Sequence, residues 1–150
     1  MSTIDEHVRD EVRAQLTSDP RVPYPDEIAI DYDGYQVTLE GTVGSFSQER
    51  AAVADAVRTR GVEDVYNELQ VRLLDRDRRQ DAEIRGAALQ RLMWDSDLAA
   101  DFLDVHVKDG WLTLKGDVTH QYQSDRAFDH VASLYGVTGV TNDIKVTERL

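Results

Sequence analysis

Cysteine is absent from the 150 residues, which excludes disulfide staples and thiolate metal sites and leaves the redox compartment open. No apolar run approaches the roughly 18 residues that a bilayer-spanning helix needs. The opening residues, Met1-Ser2-Thr3-Ile4-Asp5-Glu6, lack the basic and apolar regions of a secretory leader. The expectation is a cytoplasmic protein, or a periplasmic one if a leader has been removed. Positive charge is short as well: 17 Lys and Arg stand against 29 Asp and Glu, a formal net charge of −12. That balance argues against non-specific binding to nucleic acid or anionic lipid, both of which need a basic surface. Only three of the cations are lysines, Lys108, Lys115 and Lys145, and all lie in the second half. The recognisable chemical motifs are missing too. No G-x-G-x-x-G or G-x-x-x-x-G-K-[ST] provides a phosphate loop, and no G-x-S-x-G presents a nucleophilic serine.

What the chain does have is an internal repeat. Val37-Thr38-Leu39-Glu40-Gly41-Thr42-Val43 returns 75 positions later as Leu112-Thr113-Leu114-Lys115-Gly116-Asp117-Val118. A second phrase keeps the same offset: Gly61-Val62 through Asn67 to Val71 is matched by Gly136-Val137 through Asn142 to Val146. The chain is one small unit used twice, read as residues 1–74 and 82–150 joined by a charged linker, 75–81. Each unit is near the size where one core is only marginally sufficient.

Within each unit the hydrophobic period switches between helix and strand values. Thr3-Ile4-Asp5-Glu6 fits a capping box, and Ile4, Val8, Val12 and Leu16 then form one helical stripe. Asp19-Pro20 ends that helix, and Pro20, Pro23 and Pro25 stiffen the loop that follows. Ile28, Ile30 and Tyr32 alternate on a strand, Asp33-Gly34 turns, and Val37, Leu39 and Val43 continue on a second strand. Gly41 stands where a large side chain is expected, a mark of close approach by another element. Ser45 or Ser47 caps the next helix, Ala52, Val53, Ala56 and Val57 are its apolar face, and Gly61 stops it. Leu69, Val71 and Leu73 alternate on a third strand.

The second unit repeats this order with Ile84, Ala88 and Leu92, then Leu103, Val105 and Val107, the Asp109-Gly110 turn, and Leu112, Leu114 and Val118. Ala127, Phe128 and Val131, the stop at Gly136, and Ile144 and Val146 complete it. The predicted fold is α+β: two tandem α-β-β-α-β sandwiches, each a three-stranded mixed sheet with two helices on one face. The crossover helix makes the third strand parallel to the second.

The strand ending in an Asp-Gly turn, the Val/Leu-Thr-Leu-x-Gly-x-Val phrase, and the later Gly-Val-x-x-Val-x-Asn-x-Leu/Ile-x-Val together resemble the BON domain, and both copies carry them. Asp33-Gly34 sits one residue earlier, relative to its strand, than Asp109-Gly110. The resemblance implies a non-catalytic binding module of bacterial origin, associated with osmotic or envelope stress and with phospholipid attachment. A cytoplasmic potassium-binding relative adds small-cation sensing as a further implication. The family has no catalytic motif, so the resemblance transfers no site residue and no cofactor.

The residues themselves offer few sites. Asp31-Tyr32-Asp33-Gly34 fails as a calcium loop, because the glycine comes too early and Thr42 stands where a bidentate Glu is required. Asp75, Asp77 and Asp81 are interleaved with Arg76, Arg78 and Arg79 and read as a solvated run. His7, His106, His120 and His130 show no metal-ligand spacing. Asn67 and Asn142, at equivalent places, are expected to bond local backbone. The most informative feature is the sheet face the helices leave open. Alternation puts Ala29, Asp31, Thr38, Glu40, Glu68, Gln70 and Arg72 on it in the first unit. In the second it carries Asp104, His106, Thr113, Lys115, Asp117, Lys145 and Thr147. Tyr35 and Trp111, at hairpin tips, are candidate contact aromatics, and His106, Lys115 and Lys145 complete the candidate interaction surface. The plain alternative is that Trp111 packs over its own sheet edge. A protein partner or self-association is the expected role, with a lipid surface or a small cation as alternatives. Neither an enzyme, nor a cofactor, nor nucleic acid binding is expected.

Overall fold

The computed structural model describes residues 3–98 and 102–147. The chain divides into two compact units, Met1–Arg72 and Leu73–Leu150. The first runs α1 (Thr3–Ser18), β1 (Ile28–Tyr32), β2 (Gln36–Val43), α2 (Phe46–Arg58) and β3 (Asp64–Val71). The second runs α3 (Asp81–Met93), β4 (Leu103–Lys108), β5 (Trp111–Val118), α4 (Gln121–Ala132) and β6 (Gly139–Val146). The side chains of Thr3 and Ile4, and with them the capping box, lie outside the described residues.

Each unit is a three-stranded mixed sheet with two helices, as the sequence predicts. In the first, β1 pairs antiparallel with β2 and β2 pairs parallel with β3, giving the order β1-β2-β3; the second repeats this as β4-β5-β6. The parallel pair follows from the α2 or α4 crossover. Val12, Leu16, Ile28, Val37, Leu39, Ala52 and Ala56 form the first core. Ile84, Ala88, Leu92, Val105, Leu112, Leu114, Ala127 and Val131 are the buried counterparts in the second. Both helices of a unit therefore lie on the same side of its sheet, and the other side stays uncovered.

Several local expectations need correction. Val57 does not join the apolar face of α2: it is exposed, and Ala51 and Asp55 are buried there instead. Phe128 is only half-buried. Gly61 and Gly136 do not stop their helices. α2 ends at Arg58, and the chain closes a turn from the Val62 N–H to the Thr59 carbonyl at 3.2 Å. In the second unit the Val137 N–H reaches the Leu134 carbonyl at 3.4 Å, after α4 has ended at Ala132. The two glycines supply the left-handed residue of those turns, with φ of 94° and 91°. β3 begins at Asp64, five residues before Leu69, because it pairs with β2 along its whole length; Leu73 lies beyond its end. Ser45 is the cap of α2, its hydroxyl accepting from the Gln48 N–H at 3.1 Å.

Gly41 and Gly116 mark the close approach that the sequence suggests. A Cβ on Gly41 would sit 2.3 Å from the Glu27 carbonyl oxygen, and one on Gly116 2.0 Å from that of Phe102. Both have a positive φ that L-residues rarely adopt, 138° and 136°. The charged stretch after β3 is tied to the second unit. The Tyr135 hydroxyl shares its one proton between the Arg76 carbonyl and Asp77 Oδ1, and the Arg79 guanidinium lies over the Tyr135 ring, 5.9 Å from its centroid.

Candidate functional site

Strand register fixes what each open face presents. In the first unit, Asp31, Thr38 and Tyr66 form one row across the sheet and Ala29, Glu40 and Glu68 the next, flanked by Gln36 with Asp64 and by Thr42 with Gln70. Asp31, Glu40, Asp64 and Glu68 are all exposed. Glu40, Gly41, Thr42, Glu68, Leu69 and Gln70 border a shallow groove open to solvent. Tyr66, 54% exposed, was not anticipated. Extending the Glu68/Gln70 alternation back by one step finds it.

In the second unit four of the five candidate residues share the open face: His106, Trp111, Lys115 and Lys145. Lys115 lies between Asp104 and Asp143, His106 is in row with Thr113 and Thr141, and Lys145 is beside Asp117. Trp111 is opposite Gly139, and its indole N–H donates to Thr141 Oγ1 at 2.8 Å. A Cβ on Gly139 would come 2.2 Å from that ring. The indole therefore lies across the β6 edge with half its surface exposed, as the plainer reading holds. Tyr35 belongs to the first unit and is exposed at the β1–β2 hairpin tip, where its carbonyl accepts from the Glu63 N–H at 3.1 Å. The hairpin is set by Asp33, whose Oδ1 accepts from the N–H groups of Tyr35 and Gln36 at 3.0 and 2.7 Å; those bonds lower its pKa.

On the helix side, Asn67 and Asn142 do bond local backbone, accepting from the Leu69 N–H at 2.9 Å and the Ile144 N–H at 3.1 Å. Their amide nitrogens reach across to the crossover helix, to Glu49 Oε1 at 2.7 Å and to Ser124 Oγ at 2.9 Å. Burial raises the Glu49 pKa, and the Asn67 bond partly offsets this.

Each unit also holds an ionisable cluster around a buried carboxylate, and both escaped sequence reasoning. In the second unit Asp95 accepts from Arg126 and lies 2.7 Å from His130 Nε2, so its pKa is lowered to about 2, first by Arg126 and then by His130. In the first unit Asp19 takes the Arg21 guanidinium at 2.9 Å, and that bond drives its pKa well below the usual range. Asp55, fully buried, binds Arg58 and faces Asp19. Asp55 and His130 are 75 positions apart; a charged residue at that spacing within both apolar helix faces was the available signal. Among the described residues, no group of three His, Asp or Glu side chains is placed to hold a metal ion, and no helix is long and apolar enough to cross a membrane.

Fold and surface together define a tandem pair of small α+β modules whose distinctive side chains sit on open sheet faces. The BON domain family model matches residues 4–72 and 80–148, and the chain belongs to that family. It is 31% identical over 150 residues to osmotically-inducible protein Y of Escherichia coli (strain K12), an alignment covering 94% of this chain and 72% of that protein. Among solved structures it is similar to the C-terminal domain of CdsD, a structural protein of the type III secretion system of Chlamydia trachomatis. That likeness has 16% identity and a TM-score of 0.39, covering 95% of this chain and 66% of that one. A second CdsD structure matches at 16% identity and a TM-score of 0.41, covering 97% and 64%.

Proposed function

We propose that the protein is a non-catalytic binding module that associates with a protein partner, another copy of itself included, through its uncovered sheet faces. The observation that carries this is the difference between the two open faces. The fold repeats closely, yet Glu40 is replaced by Lys115, Gln36 by Trp111 and Tyr66 by Thr141 on the solvent side. The likeness to an osmotically inducible protein supports a place in the response to osmotic stress.

Light scattering across a concentration range, with affinity capture from the native host, tests the association. The variant Lys115→Gln with Lys145→Gln, which removes both charges without setting carboxylates beside Asp104, Asp143 and Asp117, should weaken the complex while leaving the fold intact. A monomer at all concentrations that captures nothing refutes the reading. Liposome co-sedimentation with and without divalent ions, and K⁺ titration followed by amide shifts against an ionic-strength control, report the lipid and cation alternatives. The net charge of −12 opposes the first of these electrostatically.

A further inference from the structure

Among the described residues, the one buried carboxyl group left incompletely bonded is Asp55, on the core side of α2. One oxygen, Oδ1, receives Arg58, and Arg21 stands 3.7 Å away. The other, Oδ2, is enclosed and meets no donor. Asp19, in the loop that follows α1, shares Arg21 with it: the Arg21 backbone N–H, Nε and Nη2 donate to Asp19 at 2.9, 3.0 and 2.9 Å, and a lone pair of that carboxylate is left to accept. Two ionised carboxylates that share Arg21 repel each other, and an unbonded buried oxygen adds to the cost. One proton removes both penalties, because Oδ2 becomes a donor and Asp19 an acceptor.

We propose that Asp19 and Asp55 share a single proton, so that the loop after α1 is latched to α2 by a carboxyl–carboxylate hydrogen bond that holds in mild acid and is lost as pH rises. The repeat supports this independently of any titration. At the equivalent place in the second unit the acceptor is Asp95 and the opposing residue is His130, whose ring nitrogen lies 2.7 Å away. There an imidazole fills the position where the first unit has a carboxyl. The charged groups that bear on Asp55 are Asp19 and Arg21 from the loop and Arg58 from α2 itself. α1 contributes the buried Val8, Val12 and Leu16, and its His7 and Glu11 form an exposed pair with each other. The strands contribute Ile28, Val37 and Leu39 from the core side.

Burial, and next the bond to Asp19, push the Asp55 pKa up to about 6, against the lowering pull of Arg58. The sign follows: a native pKa above the unfolded one makes the stabilisation full below the unfolded value of 3.8 and progressively lost as pH rises through about 6. The first unit's unfolding constant should rise roughly 100-fold from this group between pH 4 and 8. Carbon-detected NMR titration of the aspartate carboxyls in the wild-type chain should show one group, Asp55, titrating near 6. The variant Asp55→Asn, whose amide donates at every pH, should abolish the associated loss of amide protection in α2. If Asp55 titrates with the ordinary aspartates near 3.9, or if Asp55→Asn retains the wild-type pH slope, the shared proton does not exist.

Discussion

Placing a methyl group on the strand glycines separates the energetic roles of backbone conformation and close packing. In Gly116→Ala the new Cβ would lie 2.0 Å from the Phe102 carbonyl oxygen and 3.0 Å from the Leu103 Cα, on a residue with φ of 136°. Holding an L-residue at such a dihedral costs about 1–3 kcal/mol. Relieving the overlap requires the backbone at the start of β4 to move by about 1 Å, an overpacking term of about 1–3 kcal/mol more. The total, about 2–6 kcal/mol, is comparable with the whole stability of a unit of this size. Gly34→Ala is the control for conformation alone: its φ is 97° but no atom lies within 4 Å of the added Cβ, so about 1–2 kcal/mol is expected. Gly86→Ala, inside α3 with open space around it, should stabilise by about 1 kcal/mol. Urea unfolding followed by fluorescence suits Gly116 and Gly86, because both tryptophans, Trp94 and Trp111, are in the second unit. Gly34 and Gly41 need far-UV circular dichroism or amide exchange. If Gly116→Ala costs no more than Gly34→Ala, the carbonyl contact does not determine the need for glycine.

Leu39→Ala and Leu114→Ala, each removing a fully buried side chain, should lose about 2–5 kcal/mol to cavity formation; a variant that melts like the parent places the buried face wrongly. The Asp95 pKa is depressed to about 2, so its stabilisation of about 2 kcal/mol is present above the unfolded value and disappears as pH falls through about 2. Asp95→Asn should flatten that acid limb in tryptophan-detected melts. Gly139→Ala should displace the Trp111 indole rather than unfold the sheet, because the ring is half-exposed and can swing away; a red-shifted emission at unchanged midpoint is the expected result, and an unshifted spectrum counts against it.

The architecture was legible because both hydrophobic periods are written plainly and twice. Val8, Val12 and Leu16, and Val37 and Leu39, alternate with so few exceptions that helix and strand follow, and all five are buried. The helix ends were less legible. Gly61 and Gly136 signal a left-handed residue, but composition does not say whether that residue lies at the cap or in the next turn, and here it lies in the turn. Val57 was misplaced because a short stretch rich in alanine and valine offers several apolar stripes, and the sheet selected the one containing Ala51, Ala52 and Ala56. Tyr66 depended on where β3 begins, which pairing with β2 settles rather than local preference. Asp55 was missed although the repeat offered a signal in His130: a charged residue on a helix is read as solvent-facing unless a second group is known to stand opposite, and Asp19 lies 36 positions away.

Two of the differences between the copies have different physical meanings. At the buried cluster the change is compensated inside each unit. Asp19 with Asp55 becomes Asp95 with His130, and an arginine closes the group from α2 in one case and from α4 in the other. Such substitutions answer the fold's own requirement that buried polar atoms be bonded. The open faces lack this internal accounting. Glu40 and Glu68 stand side by side on neighbouring strands with Ala29 completing their row, and adjacent like charges on a sheet destabilise it. The same row in the second unit alternates Asp104, Lys115 and Asp143, which a sheet favours. No requirement of the first unit's fold explains its acidic row. On the proposed reading, a partner is to be sought at the open faces rather than in the helices, because an acidic row that the sheet itself disfavours is what a basic surface would complement.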